Sequence, residues 1–178
     1  MTLVTPLARH VLDTLRAIPN YPKPGIIFQD ITPVLRDGRL LRAVVEDMAG
    51  PFTGSGVTHV VGIEARGFIL GGAVATSLGA GFVPARKPGK LPWERITETY
   101  ELEYGKDALE AHRDGLPAPA RVLIVDDVLA TGGTARAAGQ LVLGLGAELV
   151  GWTFLLEISG LGGAEKLSGA PTHVVARR

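Results

Sequence analysis

The sequence predicts an α/β fold with three layers, in which a mostly parallel sheet lies between helices. Two segments carry this prediction, because each gives a short apolar strand, a polar loop and a helix in that order. The first is His59–Ile63 with a helix over Phe68–Leu78, and the second is Val122–Val125 with an Ala-rich helix from Ala135. Ligands of such sheets bind outside the carboxyl ends of the strands, so we expect the functional site there.

Length and charge limit the possible partners. The 178 residues fit one domain, 1–178, and the formal net charge of zero weighs against nucleic acid or an anionic membrane as a partner. The absence of cysteine excludes disulfides, thiolate nucleophiles and Cys-ligated zinc. Residues 1–20 carry Arg9, Asp13 and Arg16 among their apolar residues, which predicts neither a signal peptide nor a membrane span and favours a cytoplasmic location. The four histidines show no metal-site spacing.

The first elements follow from periodicity and proline. Apolar residues from Leu3 to Ile18 recur at three- and four-residue spacing, which predicts an amphipathic helix that Pro19 ends. Residues 20–33 contain three prolines and are predicted to be largely irregular, with a short apolar segment held inside them. Asp37 is the predicted N-cap of the next helix, which a Gly-Pro pair ends.

The rest of the chain continues the alternation. Phe82–Ala85 is predicted as a strand, and its proline, Pro84, places it at an edge or a bend. Residues 88–105 form the longest stretch without a helical period, which is typical of a mobile lid, although Thr97–Tyr104 alternates enough for a hairpin arm. The last predicted elements are a strand over Glu148–Leu156, a helical turn over Gly163–Leu167 and an edge strand over His173–Val175.

The segment from Arg121 to Gln140 has the strongest functional pattern. Asp126 and Asp127 follow the apolar run, and the loop Thr131-Gly132-Gly133-Thr134 precedes the helix. Free N–H groups at a helix N-terminus bind anions, so a phosphate is the expected ligand of this loop. The spacing fits neither the Walker loop nor the dinucleotide fingerprint. The carboxylates can accept hydrogen bonds from both hydroxyls of a ribose whose 5′-phosphate lies in the loop, or hold a metal through water.

Arg66 occupies the equivalent loop after the first predicted strand. It lies between buried His59–Ile63 and a helix N-terminus, where backbone donors converge on an anion. This position favours binding of diphosphate over a merely solvated arginine.

Four segments resemble one family. VLIVDDVLATGGT resembles the phosphoribosyl-diphosphate (PRPP) binding motif of the type I phosphoribosyltransferases, and GIEARGF resembles that family's pyrophosphate loop. Within the family, PKPGIIFQDITPVL is similar to the N-terminal segment of adenine phosphoribosyltransferases, and RKPGKLP with TYELEYGKDALE is similar to their mobile loop. The four segments occur in the family's order and span nearly the whole chain.

The resemblance implies an activity and a set of site residues. The reaction is transfer of ribose 5-phosphate from PRPP to adenine, giving AMP and diphosphate, with Mg²⁺ bound through the diphosphate and ribose. The resemblance also implies a homodimer. Residues 20–33 would form a loop that covers the base, and Glu103, the catalytic residue, would lie on a flexible loop over residues 88–105. The PRPP- and AMP-binding residues are Arg66, Lys87, Lys90, Asp126, Asp127, Ala130, Thr131, Gly132, Gly133 and Thr134, and the adenine-binding residues are Ile27, Phe28, Gln29 and Ile158.

Three details refine the resemblance. Many relatives carry Arg at the position of Gln29. The family also implies a cis peptide bond between Glu64 and Ala65. Asp126 or Asp127 is the expected protein partner of the magnesium, through water.

Two alternatives stay open at the level of sequence. One is the same transfer to hypoxanthine, guanine, xanthine or orotate, which the Ile27-Phe28 segment and LEYGK argue against. The other is a PRPP-sensing regulator that binds nucleic acid, against which the neutral charge and the lack of an added DNA-binding segment weigh.

Overall fold

The structure, a computed structural model, describes residues 4–102 and 105–178. Strands β3, β4, β7, β8 and β9 form a parallel sheet in the order β4-β3-β7-β8-β9, whereas β1–β2 and β5–β6 are antiparallel pairs. The elements are α1 (Pro6–Thr14), β1 (Arg16–Pro19), β2 (Ile27–Asp30), α2 (Thr32–Arg36), α3 (Gly38–Ala49), β3 (His59–Ile63), α4 (Arg66–Leu78), β4 (Gly81–Ala85), β5 (Arg95–Leu102), β6 (Gly105–His112), β7 (Arg121–Leu129), α5 (Gly133–Gly144), β8 (Glu148–Glu157) and β9 (Thr172–Arg177), with short 3₁₀ turns at Gly50–Phe52 and Ala164–Lys166. The predicted α/β fold with a parallel central sheet is confirmed.

The sheet separates two apolar clusters, which gives the three layers. Helices α1, α3 and α4 cover one face, where Met48 and Leu70 pack with Leu123 of β7. Helix α5 and the β5–β6 pair cover the other, where Leu141 packs with Ile124 of β7. Successive residues of a strand point to opposite faces, so the apolar run of β7 serves both clusters.

The order of the strands creates a crevice at one edge of the sheet. The chain leaves β3 through α4 to reach β4 on one side, and later returns to place β7 on the other side of β3. The loops that follow β3 and β7 therefore diverge at this point. In open α/β sheets such a switch point is where ligands bind, and here it joins the segments that contain Arg66 and Asp126–Thr134.

The N-terminal region differs from the prediction. The helix ends at Thr14 instead of reaching Ile18, and Arg16–Pro19 forms β1, which pairs with Ile27–Asp30. Asn20 adopts a positive φ of 59°, and its side chain accepts a hydrogen bond from the Gly25 N–H at 3.0 Å. This pairing closes a turn between two distant segments, which the local apolar period could not reveal.

Strand β7 is longer than predicted. Pairing with β3 stops at Gly62 and Val125, but pairing with β8 continues from Asp126 to Leu129. The two carboxylates therefore lie inside the strand instead of after it. Because β3 has already ended there, the edge of β7 at Asp126 faces the crevice.

Other predicted elements match their structure. β4 and β9 lie at the two edges of the sheet, and the Asp37 carboxylate caps α3 by accepting from the N–H groups of Arg39 and Leu40. Most of the predicted hairpin arm, Thr97–Tyr104, lies in β5, whereas Glu103 and Tyr104 are outside the described residues. Within residues 4–102 and 105–178, none of the helices has the length and apolarity that a membrane crossing requires.

Candidate active site

An acidic pair and an arginine meet in the crevice. Asp126 and Asp127 are 9% and 6% exposed, and the Asp127 N–H donates to Asp126 Oδ1 at 2.8 Å. Arg66, the first residue of α4, donates from Nε to Asp127 Oδ2. A Cβ at Gly67 would lie 2.7 Å from Asp126 Oδ1, so only glycine lets the helix start this close to the carboxylate. The ion pair and this close approach connect the N-terminus of α4 to β7.

Asp126 holds its proton more tightly than an ordinary carboxyl. Burial raises the pKa of Asp126 well above the usual 3.8, and the neighbouring charge of Asp127 raises it further. Hydrogen bonding from the Asp127 N–H and the charge of Arg66 act in the opposite direction but do not cancel the effect.

Asp126→Asn is expected to stabilise the folded protein near neutral pH. The folded state binds a proton at Asp126 more tightly than the unfolded state, so this group's contribution to stability is complete below about pH 4 and falls as the pH rises through the folded pKa. Asparagine keeps the shape and the acceptor for Asp127 N–H but does not titrate. Thermal unfolding of variant and wild type should therefore show a difference in Tm that grows from pH 4 towards neutrality.

Asp37→Asn provides a control of opposite sign. Hydrogen bonds from the N–H groups of Leu40 and Arg39 hold the pKa of the Asp37 carboxyl below its usual value. The ionised carboxyl therefore stabilises the folded state above the usual pKa, and this stabilisation is lost as the pH falls through the folded-state pKa. This variant should lose stability relative to wild type as the pH rises. A pH-independent difference for Asp126→Asn would contradict the assignment.

The loop from Ala130 to Thr134 lines a small cavity at the start of helix α5. Gly132 has a φ of 78°, and a Cβ there would lie 2.5 Å from the Gly163 carbonyl oxygen, so the tight turn requires glycine. Helix α5 begins at Gly133 and directs its first N–H groups to this loop. A cavity of about 90 Å³ is lined by Asp126, Val128, Leu129, Ala130, Thr131, Gly132, Gly133, Thr134 and Ala135. This geometry suits a phosphate group.

A larger apolar pocket lies beside the acidic pair. Its volume is about 610 Å³, within the range of small-molecule sites, and it is lined by Gly25, Ile26, Ile27, Phe28, Gln29, Arg66, Val128, Ala130, Ile158, Leu161 and Arg178. The structure thus brings together all four residues predicted to bind adenine. Phe28 lies 5.2 Å from the Arg66 guanidinium and forms an edge-to-face pair with Tyr21, also with centroids 5.2 Å apart. These contacts place a flat aromatic side chain at the pocket wall.

The two predicted PRPP lysines have carboxylate partners. Lys90 donates to Glu64, which also accepts from Arg86 Nε at 3.2 Å and from the Lys87 N–H at 2.9 Å. Burial alone would raise the pKa of Glu64, but these donors together hold it below its usual value. The peptide bond between Glu64 and Ala65 is cis. Glu64 therefore organises the basic residues next to the crevice.

Lys87 connects the β5–β6 pair to the loop from Ala130 to Thr134. Its Nζ donates to Asp107 and, at 2.6 Å, to the hydroxyl of Tyr100, which accepts from Thr134 Oγ1 at 3.2 Å. Burial would lower the pKa of Lys87, but the bonds to Asp107 and Tyr100 raise it above its usual value. The ammonium group thus stays charged beside the loop.

Some site residues were not predicted from the sequence. Tyr100, Asp107 and Arg178 carry no local signal of their own, because they contact Thr134, Lys87 and Gln29, which lie 34, 20 and 149 residues away in the chain. In the sequence, Glu64 was noted only as part of the GIEARGF segment, and no role was assigned to its carboxylate. Glu103, the predicted catalytic residue, lies outside the described residues.

Comparison with known proteins gives a consistent family. Residues 37–166 match the model of the phosphoribosyl transferase domain. The chain is 58% identical over 153 residues to the adenine phosphoribosyltransferase of Myxococcus xanthus, covering 86% of this chain and 83% of that protein. It is also similar to the crystal structure of adenine phosphoribosyltransferase from Rhodothermus marinus, with a TM-score of 0.93, 49% identity and coverage of 97% and 98%. The Saccharomyces cerevisiae enzyme, solved with adenine and an imino-altritol bisphosphate, gives a TM-score of 0.88, 40% identity and coverage of 95% and 98%. The chain therefore belongs to the adenine phosphoribosyltransferases within the phosphoribosyl transferase family.

Proposed function

We propose that this protein transfers the 5-phosphoribosyl group of PRPP to adenine, giving AMP and diphosphate. The observation that carries the proposal is the single crevice in which an apolar pocket, an acidic pair and a Gly-rich helix N-terminus adjoin one another. The relatives support it, since they are named adenine phosphoribosyltransferases, and one from Trypanosoma brucei was solved with AMP, pyrophosphate and ribose 5-phosphate.

Each part of PRPP has a partner in this arrangement. The 5′-phosphate binds at Thr131–Thr134 and the N-terminus of α5, and the ribose hydroxyls donate to Asp126 and Asp127. The diphosphate binds Arg66, Lys87 and Lys90. Because the two lysines pair with Asp107 and Glu64 in this structure, binding diphosphate requires them to change or share partners.

The chemistry is a displacement at C1′ of the ribose. N9 of adenine forms the new bond to C1′, the bond from C1′ to the diphosphate oxygen breaks, and the diphosphate leaves with the electron pair. Arg66 and the lysines stabilise the negative charge that develops on the leaving group. The carboxylate of Glu103 takes the N9 proton. Closure of the loop over residues 88–105 excludes water, which would otherwise hydrolyse the sugar.

The acidic pair fits a Mg²⁺ ion that takes most of its ligands from the substrate. Mg²⁺ commonly uses one or two carboxylates together with phosphate oxygens and water. Among residues 4–102 and 105–178, no group of three or more His, Asp or Glu side chains is arranged to hold a metal by itself. Asp126 or Asp127 would therefore hold the ion through water, and the bound ion would neutralise charge on the diphosphate. The homodimeric state and the cytoplasmic location remain predictions.

Turnover across a panel of bases tests the proposal. The purified protein with PRPP and Mg²⁺ is offered adenine, hypoxanthine, guanine, xanthine or orotate, and nucleotide and diphosphate are measured. We expect turnover with adenine to exceed that with every other base. Preference for another base would change the substrate assignment, and PRPP binding without turnover of any base would favour the regulator.

A further inference from the structure

Gln29 and Arg178 meet at the pocket proposed to bind the base. They are 149 residues apart in the chain, and Arg178 Nη1 donates to Gln29 Oε1 at 3.0 Å. Both line the pocket, and Gln29 is 9% exposed. With Arg66, they are the polar side chains of a lining that is otherwise apolar or glycine.

Hydrogen bonds of the main chain fix the position of the Arg178 backbone. Its N–H donates to the Glu157 carbonyl at 3.0 Å, and its carbonyl accepts from the Ser159 N–H at 2.7 Å. Arg178 is thereby held against the segment that contains Ile158, another pocket residue. The preceding Arg177 differs, since its guanidinium pairs at 2.7 Å with Glu157 and does not line the pocket.

Arg178 determines which end of the Gln29 amide faces it. An arginine has only donors, whereas a primary amide has an acceptor at one end and two donors at the other. Rotating the Gln29 amide by half a turn would place its NH₂ against the guanidinium N–H, which loses a hydrogen bond and opposes two donors. The orientation with Oε1 towards Arg178 is therefore fixed, and the second lone pair of Oε1 and the NH₂ group remain for a ligand.

This orientation matches one class of purine. Adenine presents an amino donor next to a ring-nitrogen acceptor, and a glutamine amide pairs with that pattern through two hydrogen bonds. A 6-oxopurine bound in the same pose presents an oxygen acceptor next to an N–H donor at its N1 edge, so in that pose it needs the amide in the rotated orientation. Arg178 opposes that rotation.

We propose that Gln29 recognises the 6-aminopurine edge and that Arg178 is a positioning residue, which locks the Gln29 amide against 6-oxopurines. The inference rests on the proposed function, because it assumes that the base occupies this pocket. It assigns discrimination between bases to a pair of side chains instead of to the apolar wall alone.

The experiment compares Arg178→Leu with Arg177→Leu, a matched loss of the adjacent arginine. Measured quantities are kcat, the KM values for adenine and PRPP, and the competitive inhibition constant of hypoxanthine. Arg178→Leu should raise the KM for adenine about tenfold, the effect of one hydrogen bond to a charged group, while the inhibition constant of hypoxanthine stays the same or falls. Arg178→Lys, which retains a donor, should recover part of the loss, and Arg177→Leu should match wild type.

A further variant separates orientation from recognition. Gln29→Glu keeps an acceptor for Arg178, and strengthens the pairing by charge, but removes the NH₂ donor. It should raise the KM for adenine at least as much as Arg178→Leu without changing the KM for PRPP. Thermal unfolding verifies that each variant is folded.

The outcomes separate this inference from the proposed function. Wild-type protein without adenine turnover would overturn both. Normal turnover, with Arg178→Leu behaving like Arg177→Leu or weakening adenine and hypoxanthine equally, would overturn only the inference. A tenfold shift in the ratio of the two constants, with partial recovery by lysine, would support it.

Discussion

Asp127→Asn is expected to raise the KM for PRPP by roughly 10- to 100-fold, while the KM for adenine changes little. The buried side chain accepts from Arg66 Nε, so its charge holds Arg66, and we propose that it also accepts from a ribose hydroxyl. Hydrogen bonds to charged groups contribute about 1.5–3 kcal/mol, which corresponds to this range. Asparagine keeps the volume but offers one acceptor instead of two. Steady-state kinetics with each substrate varied in turn measure both constants.

Glu148→Gln is the matched control for this variant. Glu148 also pairs with an arginine, Arg121, but at the start of β7 and β8, the end of the strands opposite the crevice. The Glu148→Gln variant removes an exposed carboxylate–guanidinium pair far from the site, so the KM values for PRPP and adenine should both equal those of the wild type. Equal losses of PRPP and adenine affinity in Asp127→Asn, with a normal unfolding transition, would contradict the ribose assignment.

Glu103→Gln is expected to lower kcat by roughly 10²- to 10⁴-fold with little change in the KM for PRPP. This is the range typical of a positioned proton acceptor, and glutamine keeps the size while removing the basic site. PRPP affinity should persist because the substitution replaces none of its proposed partners, which are Arg66, Lys87, Lys90 and Asp126–Thr134. Steady-state and single-turnover kinetics separate the chemical step from product release.

Glu101→Gln tests whether the effect belongs to one position. Glu101 is an exposed acid of β5, two residues earlier in the chain, and its loss removes the same charge. Its kcat should equal that of wild type. A wild-type kcat for Glu103→Gln would eliminate the catalytic role, and a change confined to KM would make Glu103 a binding residue.

The fold was predictable where one segment carried its own signal. All four residues of Val122–Val125 are apolar and three of them are β-branched, which predicts a buried strand wherever its neighbours lie. Its end was not predictable, because β7 continues through Asp126 by pairing with β8 after β3 has stopped. The same limit applies to Arg16–Pro19, whose apolar spacing continues the helical period although pairing with β2 decides its structure. Both errors are cases in which tertiary hydrogen bonds override local pattern.

The site divides in the same way. Arg66, Asp126 and Thr131–Thr134 lie in contiguous motifs whose chemistry can be inferred from spacing and from family resemblance. Arg178 has no such signal, because its meaning depends on Gln29, 149 residues earlier. Tyr100 likewise gains its place from Thr134 and Lys87. Contacts between residues of distant segments could be identified only from the structure.

The separation of β1–β2 from the central sheet bears on how this protein could diverge. Strand β2, which carries Ile27, Phe28 and Gln29, pairs with β1 in a separate two-stranded sheet, whereas Asp126 and Asp127 lie on β7 of the central sheet. Mutations in this small ribbon would therefore alter the proposed base pocket without disturbing the sheet that carries the proposed sugar-phosphate site. Related chains could thus acquire a different acceptor base while they keep the same binding residues for the phosphoribosyl donor.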